Sequence, residues 1–159
     1  MHSSQESGNQ RHRIQRSFGL LAFIVNRHLI DHMRRLALEL DMDFEAAYLY
    51  GTLAHLNILN LVSPMADPNR VLNEQGMSGK TPQPVRLADV AQVSGLPRET
   101  VRRKLEWLQK RGKVLRTPDG LWCYDRQGID ESVVEFTLET IERFLKTADE
   151  MQAVINKVK

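Results

Sequence analysis

The stretch PRETVRRKLEWLQKRG, residues 97–112, decides the fold. Its apolar residues Val101, Leu105 and Leu108 recur at steps of four and three, the spacing that places side chains on one face of an α-helix. The proline that opens the stretch suits the first turn of a helix, and the glycine that closes it suits the end. The sequence therefore predicts a helix over 97–112 with one face in a core.

Short elements surround this helix on both sides. A shorter helix is predicted over 88–93, preceded by a short strand over 85–87 and followed by a turn at Gly95. Downstream, Thr117-Pro118-Asp119-Gly120 is typical of a hairpin turn between strands over 114–116 and 121–124. The predicted order over 86–124 is helix, turn, helix and two-stranded hairpin.

This order resembles a winged helix-turn-helix domain of bacterial transcriptional regulators. Ala91 is small where two helices would cross, and Gly95 four residues later allows the turn. Arg98-Glu99-Thr100-Val101-x-Arg103 is similar to the recognition helix of the catabolite activator and FNR-type family. In that family the two arginines and the glutamate read base edges, so the resemblance implies this role for Arg98, Glu99 and Arg103. Thr100 completes the base-contacting set.

The formal net charge of +2 hides an uneven distribution along the chain. Residues 86–116 carry nine basic and three acidic residues, a net charge of +6. Residues 117–150 carry three basic and nine acidic residues, a net charge of −6. Such a partition is expected where one surface meets phosphate and another meets protein or water, although a solvated helix face gives the same counts.

Helical geometry separates two groups of basic residues. At about 100° per residue, with Val101 facing the core, Glu99, Arg103 and Lys110 point outwards. Arginine bound to guanine and glutamate accepting from cytosine are standard contacts in the major groove. The remaining cations are predicted to hold phosphates, which adds affinity without sequence choice. The predicted phosphate contacts are Arg102, Lys104, Lys110 and Arg116.

Two helices are predicted before this unit. Residues 17–41 carry apolar residues at steps of three and four, and Asp43 is a good N-cap for a second helix over 44–62. Together, residues 17–62 are expected to serve as core and dimerisation helices. Residues 1–16 are predicted to be a flexible N-terminus, and residues 63–84, rich in proline, a long loop. The winged unit itself is assigned to residues 85–126.

Residues 130–158 predict one long C-terminal helix with a nearly heptad apolar seam. Helices on both sides of a winged unit resemble the layout of MarR-type regulators, in which such helices of two subunits interlock. The seam is therefore predicted to form a homodimer, and packing against the N-terminal helices is the alternative. The predicted dimerisation residues are Val134, Leu138, Ile141, Leu145, Met151 and Ile155.

Other candidate sites receive weaker support. Gly79-Lys80-Thr81 lacks the earlier glycine of a phosphate-binding loop, and prolines follow it. His28, His32 and His55 leave a regulatory metal possible, but helix-surface histidines explain them as well. Cys123 has no resolving cysteine, so packing is the better interpretation than redox sensing. No cofactor, metal or catalytic residue is predicted, and no enzyme activity.

The composition fits a folded, mainly helical protein. The chain has 159 residues, 42% of them hydrophobic and 26% charged, which excludes collagen-like and disulfide-rich classes. The apolar run over 18–25 follows three arginines but lacks a cleavage site and is far shorter than the roughly 20 residues of a membrane span. We expect a cytoplasmic protein without a membrane partner.

The expected function is that of a homodimeric transcriptional regulator. Two recognition helices over 97–111 would enter successive major grooves of a pseudo-palindromic operator in double-stranded DNA, with the hairpin wing over 114–124 on the backbone. A small-molecule effector is possible and is not identified by the sequence. The alternative is a winged-helix adaptor that binds protein partners and no DNA.

Overall fold

The computed structural model describes residues 2–59 and 81–158. These residues are mainly helical, with a small two-stranded antiparallel sheet and a long C-terminal helix, which confirms the predicted fold class at this level. The chain divides into two compact units. The helical unit comprises residues 1–41 and 131–159, and the central unit comprises residues 42–130.

The described ranges 2–59 and 81–158 contain six α-helices, two strands and one 3₁₀ turn. In the helical unit these are α1 (His2–Arg16), α2 (Phe18–Glu39) and α6 (Glu131–Lys157). In the central unit they are α3 (Phe44–Ile58), α4 (Leu87–Ser94), α5 (Arg98–Lys110), β1 (Val114–Arg116), β2 (Trp122–Tyr124) and the 3₁₀ turn Arg126–Gly128. Within these ranges, no helix combines the length and apolar character that a bilayer crossing requires.

The helical unit is built on the pairing of α2 with α6. Leu21 and Ile24 of α2 and Phe136 and Ile155 of α6 are its buried apolar residues. The two helices run antiparallel, because Arg35 contacts the beginning of α6 while Arg27 pairs with Glu150 towards its end. A pair of helices buries few residues, so most of both helix surfaces remains exposed.

Arg35 provides the polar centre of this pair. Its side chain is only 3% exposed, and its guanidinium donates to Glu39, Glu139, Thr140 and the Phe136 carbonyl. The guanidinium also lies 4.7 Å from the centre of the Phe136 ring. Burial of a charge is costly unless it is paired, and here every direction of the guanidinium fork has an acceptor or a ring.

The N-terminal residues differ from their prediction. Residues 1–16 are predicted to be flexible, whereas the structure places helix α1 over His2–Arg16. The sequence of α1 is polar and offers no apolar periodicity, which is why the pattern did not indicate a helix. Its last turn is held from a distance, since Arg13 Nε donates to the Val158 carbonyl at 2.8 Å.

The core of the central unit lies between α3, α4, α5 and the hairpin. Its fully buried apolar side chains are Leu49, Leu53, Val90, Val101, Leu105, Leu108, Val114 and Trp122. The predicted N-cap of α3 is confirmed, because Asp43 accepts from the Ala46 N–H at 2.9 Å. The predicted apolar face of α5 is likewise confirmed, since its three members are all buried.

The turns of the central unit follow the predicted glycines. Gly95, at the end of α4, has φ of +69° and donates to the Ala91 carbonyl, and Gly112, after α5, has φ of +67°. The strands pair antiparallel with Leu115 opposite Cys123. The predicted strand over 85–87 is wrong in extent: only Val85 forms a bridge, with Trp122, and α4 begins at Leu87.

Two residues tie the hairpin region to the helices. The buried Asn57 of α3 donates to the carbonyls of Gln83 and Trp122 and accepts from the Tyr124 N–H at 2.8 Å. Gly128 lies against the backbone of Gly112 and Lys113 so closely that a Cβ there would overlap the Gly112 carbonyl. The helices and the hairpin are therefore joined by backbone groups as well as by side chains.

Candidate nucleic-acid interface

Helix α5 presents a charged face away from its buried face. Positions 99, 103, 106 and 110 form its outward row at steps of four, three and four. Glu99, Arg103 and Lys110 are exposed, as the sequence predicts, and Glu106 lies between them. The outward row therefore alternates acidic and basic residues, a feature that the net charge of the segment conceals.

The predicted base-contacting residues occupy unequal positions. Glu99 and Arg103 lie in the outward row, while Arg98 and Thr100 lie on opposite flanks of the helix. Arg98 is exposed and Thr100 is half-buried. Neither Arg98 nor Arg103 has a hydrogen bond or ion pair with any residue in the described ranges 2–59 and 81–158.

Arg102 is paired with carboxylates of its own helix. Its guanidinium donates to Glu99 through Nε at 2.9 Å and to Glu106 at 2.6 Å, so one arginine joins two glutamates. The hydrogen bond from Arg102 holds the pKa of the Glu99 carboxyl below its usual range, and the two glutamates raise the pKa of Arg102. The residue that the sequence assigns to phosphate contact is thus already engaged.

Lys104 is also engaged, although its partners are distant in sequence. Its ammonium lies 2.6 Å from Asp43 and 3.5 Å from Glu45 at the start of α3, and its side chain is only 17% exposed. The hydrogen bond from Lys104 lowers the pKa of Asp43. Lys104 therefore helps to fix α3 against α5, and its charge is already paired with carboxylates of α3 and its cap.

Two further cations of the basic segment are held by carboxylates. Arg86 pairs with Asp89 at 2.8 Å, and Lys113 pairs with Asp130 at 2.7 Å while donating to the Gly128 carbonyl. The pairing of Lys113 across the end of the hairpin carries no local sequence signal. Net charge along the chain therefore overstates the positive charge that this segment can offer to a ligand.

Lys110 and Arg116 remain accessible. Lys110, at the end of the outward row, is exposed and has no ion pair among the residues that the structure describes. Arg116, at the end of β1, lies 5.5 Å from the centre of the Trp122 ring. Stacking on a buried ring orients a guanidinium without neutralising its charge. Both residues keep the charge that a phosphate contact needs.

The predicted dimerisation seam divides into two parts. Val134, Leu138, Ile141 and Leu145 are exposed, as an interface with a second chain requires. Ile155 is buried and Met151 is half-buried, because these two line a groove against α2 within the same chain. Met151 and Ile155 therefore have neighbours within the same chain, and their part in a dimer stays a prediction.

The α2–α6 pair has one charged side and one apolar side, which lie opposite each other at about 100° per residue. On the charged side, Arg143 pairs with Asp31 and Glu139, and Arg27 pairs with Glu150. The apolar side consists of exposed residues of both helices. The sequence assigns α2 to the core and dimerisation helices over 17–62 without naming interface residues on it. The members of the apolar side are Phe18, Val25, Leu29, Met33, Val134, Leu138, Ile141, Phe144 and Leu145. Four further exposed apolar residues of α2 lie outside the apolar side, namely Leu20, Phe23, Ile30 and Leu38.

The histidines do not assemble into a ligand set. His28 and His32 stack on α2 with ring centres 6.4 Å apart, and His28 contacts the Thr147 hydroxyl. Burial lowers the pKa of His32. His55 belongs to the central unit. Among the residues of 2–59 and 81–158, no group of three or more His, Cys, Asp or Glu side chains is placed to hold a metal ion.

Cys123 is a packing residue of β2. It is buried, and burial raises the pKa of its thiol, which disfavours the reactive thiolate. The residues of the rejected phosphate-binding loop, Gly79 and Lys80, lie outside the described residues, as does most of the predicted loop over 63–84.

Comparison of the whole chain with protein-family models, with curated proteins and with solved structures gave no match.

Proposed function

We propose that the chain is a sequence-specific DNA-binding transcriptional regulator that acts as a homodimer. In this proposal the central unit is a winged helix-turn-helix, α5 enters the major groove and the hairpin lies on the DNA backbone. The single observation that carries it is a set of exposed cations that make no hydrogen bond or ion pair with a carboxylate in the described ranges, namely Arg98, Arg103, Lys110 and Arg116.

The distribution of these four cations supports a groove and backbone contact. Arg103 and Lys110 lie in the outward row of α5, two helical turns apart, while Arg116 lies on the hairpin. An arginine in the row can bind guanine through two hydrogen bonds, each such pair giving about 1–3 kcal/mol of discrimination. Lysine at the helix end and arginine on the hairpin suit the phosphates on either side.

The apolar side of the helical unit supports a second copy of the chain as partner. Nine exposed apolar side chains from α2 and α6 form it, while the ion pairs of the unit lie on the opposite side. A two-fold axis would stack two such sides and bury the same residues twice, as in a helix bundle. In a dimer, half-site centres are expected roughly 10 base pairs, or a multiple, apart.

DNA binding is tested by mobility shift on random duplex at rising salt. A regulator should lose affinity steeply with salt, because phosphate contacts release counterions, and an adaptor should give no shift at any salt. Lys110→Ala should weaken binding to all sequences similarly and reduce the salt slope by about 1. Lys146→Ala removes the same charge from the charged side of the helical unit and is the matched control. Absence of binding by the unaltered protein would exclude the proposal.

Base reading is tested by selecting bound sequences from random duplex. Arg103→Ala should relax the preference at one base pair, and Arg34→Ala, an exposed arginine of α2, should leave it unchanged. Equal loss of affinity on every sequence, with the preference intact, would contradict the assignment of Arg103 to a base.

The dimer is tested by light scattering after size exclusion. The unaltered chain should have twice its monomer mass, and Leu138→Asp should give monomers because it places a charge in the apolar side. Lys146→Asp, on the charged side of the same helix, should remain dimeric. A mass of 18.3 kDa that does not change with concentration would rule the dimer out.

A further inference from the structure

The outward face of α5 carries a three-residue cluster that a simple phosphate contact does not explain. Arg102 bridges Glu99 and Glu106, with its Nε 2.9 Å from one oxygen of Glu99 and another nitrogen 2.6 Å from Glu106. The three residues occupy one side of two consecutive helical turns, and Glu99 is the most exposed, at 73%. The proposed DNA-facing surface thus contains two carboxylates.

Two carboxylates facing a duplex oppose binding to most sequences. A carboxylate near phosphates is repelled, and one that enters the groove without a donor loses its hydration. Arg102 offsets this cost by neutralising both glutamates. It cannot do so and also bind a phosphate, because its fork is already directed at Glu99 and Glu106.

The same contacts fix the direction of Glu99. Two guanidinium nitrogens of Arg102 donate to the two oxygens of Glu99, which favours one orientation of the side chain. Each carboxylate oxygen has a second lone pair, so Glu99 can still accept from a base. Cytosine and adenine offer an amino group in the major groove, whereas guanine and thymine present carbonyl oxygens there.

We infer that Arg102 is a positioning residue and that the cluster of Glu99, Arg102 and Glu106 determines sequence specificity. Arg102 directs Glu99 at an amino-bearing base, and the two carboxylates together penalise duplexes in which that base lies on the other strand, so that Glu99 meets a carbonyl oxygen of guanine or thymine. The inference rests on the proposed function. It removes Arg102 from the phosphate contacts and adds Glu106 to the residues that control base choice.

Arg102→Lys is the decisive variant. Lysine keeps the positive charge and could still hold a phosphate, but it cannot form the forked contact with Glu99. Glu99→Gln identifies the base pair that Glu99 reads. In Arg102→Lys, the preference at that same base pair should fall by at least about fivefold, the lower limit for a bidentate contact. Arg34→Lys, the same exchange at an exposed arginine of α2, should leave every base preference unchanged.

Glu106→Gln tests the penalty separately. The affinity of this variant for random duplex should rise more than its affinity for the selected site. The ratio of selected-site affinity to random-duplex affinity should therefore fall. An equal rise in both would reflect general charge removal and would overturn the role of Glu106. If Glu99→Gln weakens the base preference but Arg102→Lys leaves it unchanged, Arg102 does not position Glu99. The proposed function would then still stand. If the unaltered protein does not bind DNA, the proposed function fails first, and this inference with it.

Discussion

The central and helical units differ in how far their apolar residues are buried. In the central unit Val101, Leu105 and Leu108 of α5 are completely buried by α3, α4 and the hairpin. In the helical unit Phe18 is 69% exposed and Phe144 is 61% exposed, because two paired helices cannot cover each other. The central unit closes a core by itself, whereas the helical unit presents a surface suited to a partner. The predictions below test this contrast.

The largest effect is expected in the core of the central unit. Leu105→Ala should lower the free energy of unfolding by about 2–5 kcal/mol, because it leaves a cavity among completely buried side chains. Denaturant titration should give this loss at every protein concentration. The same exchange at the exposed Leu138 should lower stability only at concentrations where the chain is dimeric. A loss that depends on concentration at Leu105 would break the comparison.

A smaller effect is expected at Asn57. Asn57→Ala should lower the free energy of unfolding by about 1–3 kcal/mol, since it removes the acceptor of the Tyr124 N–H and one of the two donors to the Trp122 carbonyl. Thr52→Ala, which removes an exposed hydroxyl from the same helix, is the control. Equal stability of the two variants in denaturant titration would mean that Asn57 does not hold the hairpin to α3.

Asp43 should contribute about 1 kcal/mol as the N-cap of α3. Its pKa is lowered below the ordinary value of 3.8, chiefly by the hydrogen bond from Lys104, so the folded state favours the charged carboxylate. The stabilisation should be present above pH 3.8 and be lost as the pH falls through the folded-state pKa.

Unfolding of Asp43→Ala and Asp43→Asn across this range measures the effect. Asparagine keeps the cap but not the ion pair, so it should cost less than alanine at neutral pH. A difference between unaltered protein and Asp43→Ala that stays constant in acid would show that the charge contributes nothing.

The smallest effect should appear on dilution. If a second copy stabilises the helical unit, the fraction of monomer rises with the square root of the dilution factor. Amides of α2 and α6 should therefore exchange about threefold faster with solvent after tenfold dilution. Amides of α5 should keep their exchange rate. Hydrogen exchange resolved by segment measures both units in one sample, and equal behaviour of the two would contradict the contrast.

Local signals predicted much of the central unit. The glycines at 95 and 112, the cap at Asp43 and the apolar spacing of α5 each act within a few residues, and each is found where the sequence places it. The strand predicted over 85–87 is too long. Local composition does not distinguish a single bridge residue, Val85, from the start of a helix at Leu87.

The rest depends on contacts between residues far apart in sequence. Lys104 was predicted to hold a phosphate, but Asp43 binds it across 61 residues. Lys113, counted in the charge of the basic segment, is bound by Asp130 across 17 residues. The seam of α6 looked continuous, but its last turns pack on α2, which periodicity alone cannot separate from an outer face. Which cations and which apolar residues are free is a property of the folded chain.

The close approach of Gly128 to the backbone of Gly112 and Lys113 has a consequence for sequence variation. Any coding change at this codon that replaces glycine adds at least a Cβ, and the neighbour it meets is main chain, which cannot rotate aside as a side chain can. Substitutions at the exposed residues around it cost little stability, whereas position 128 accepts only glycine. Descendants of this sequence that keep the fold should therefore vary freely at the neighbouring Gln127 while keeping glycine beside it.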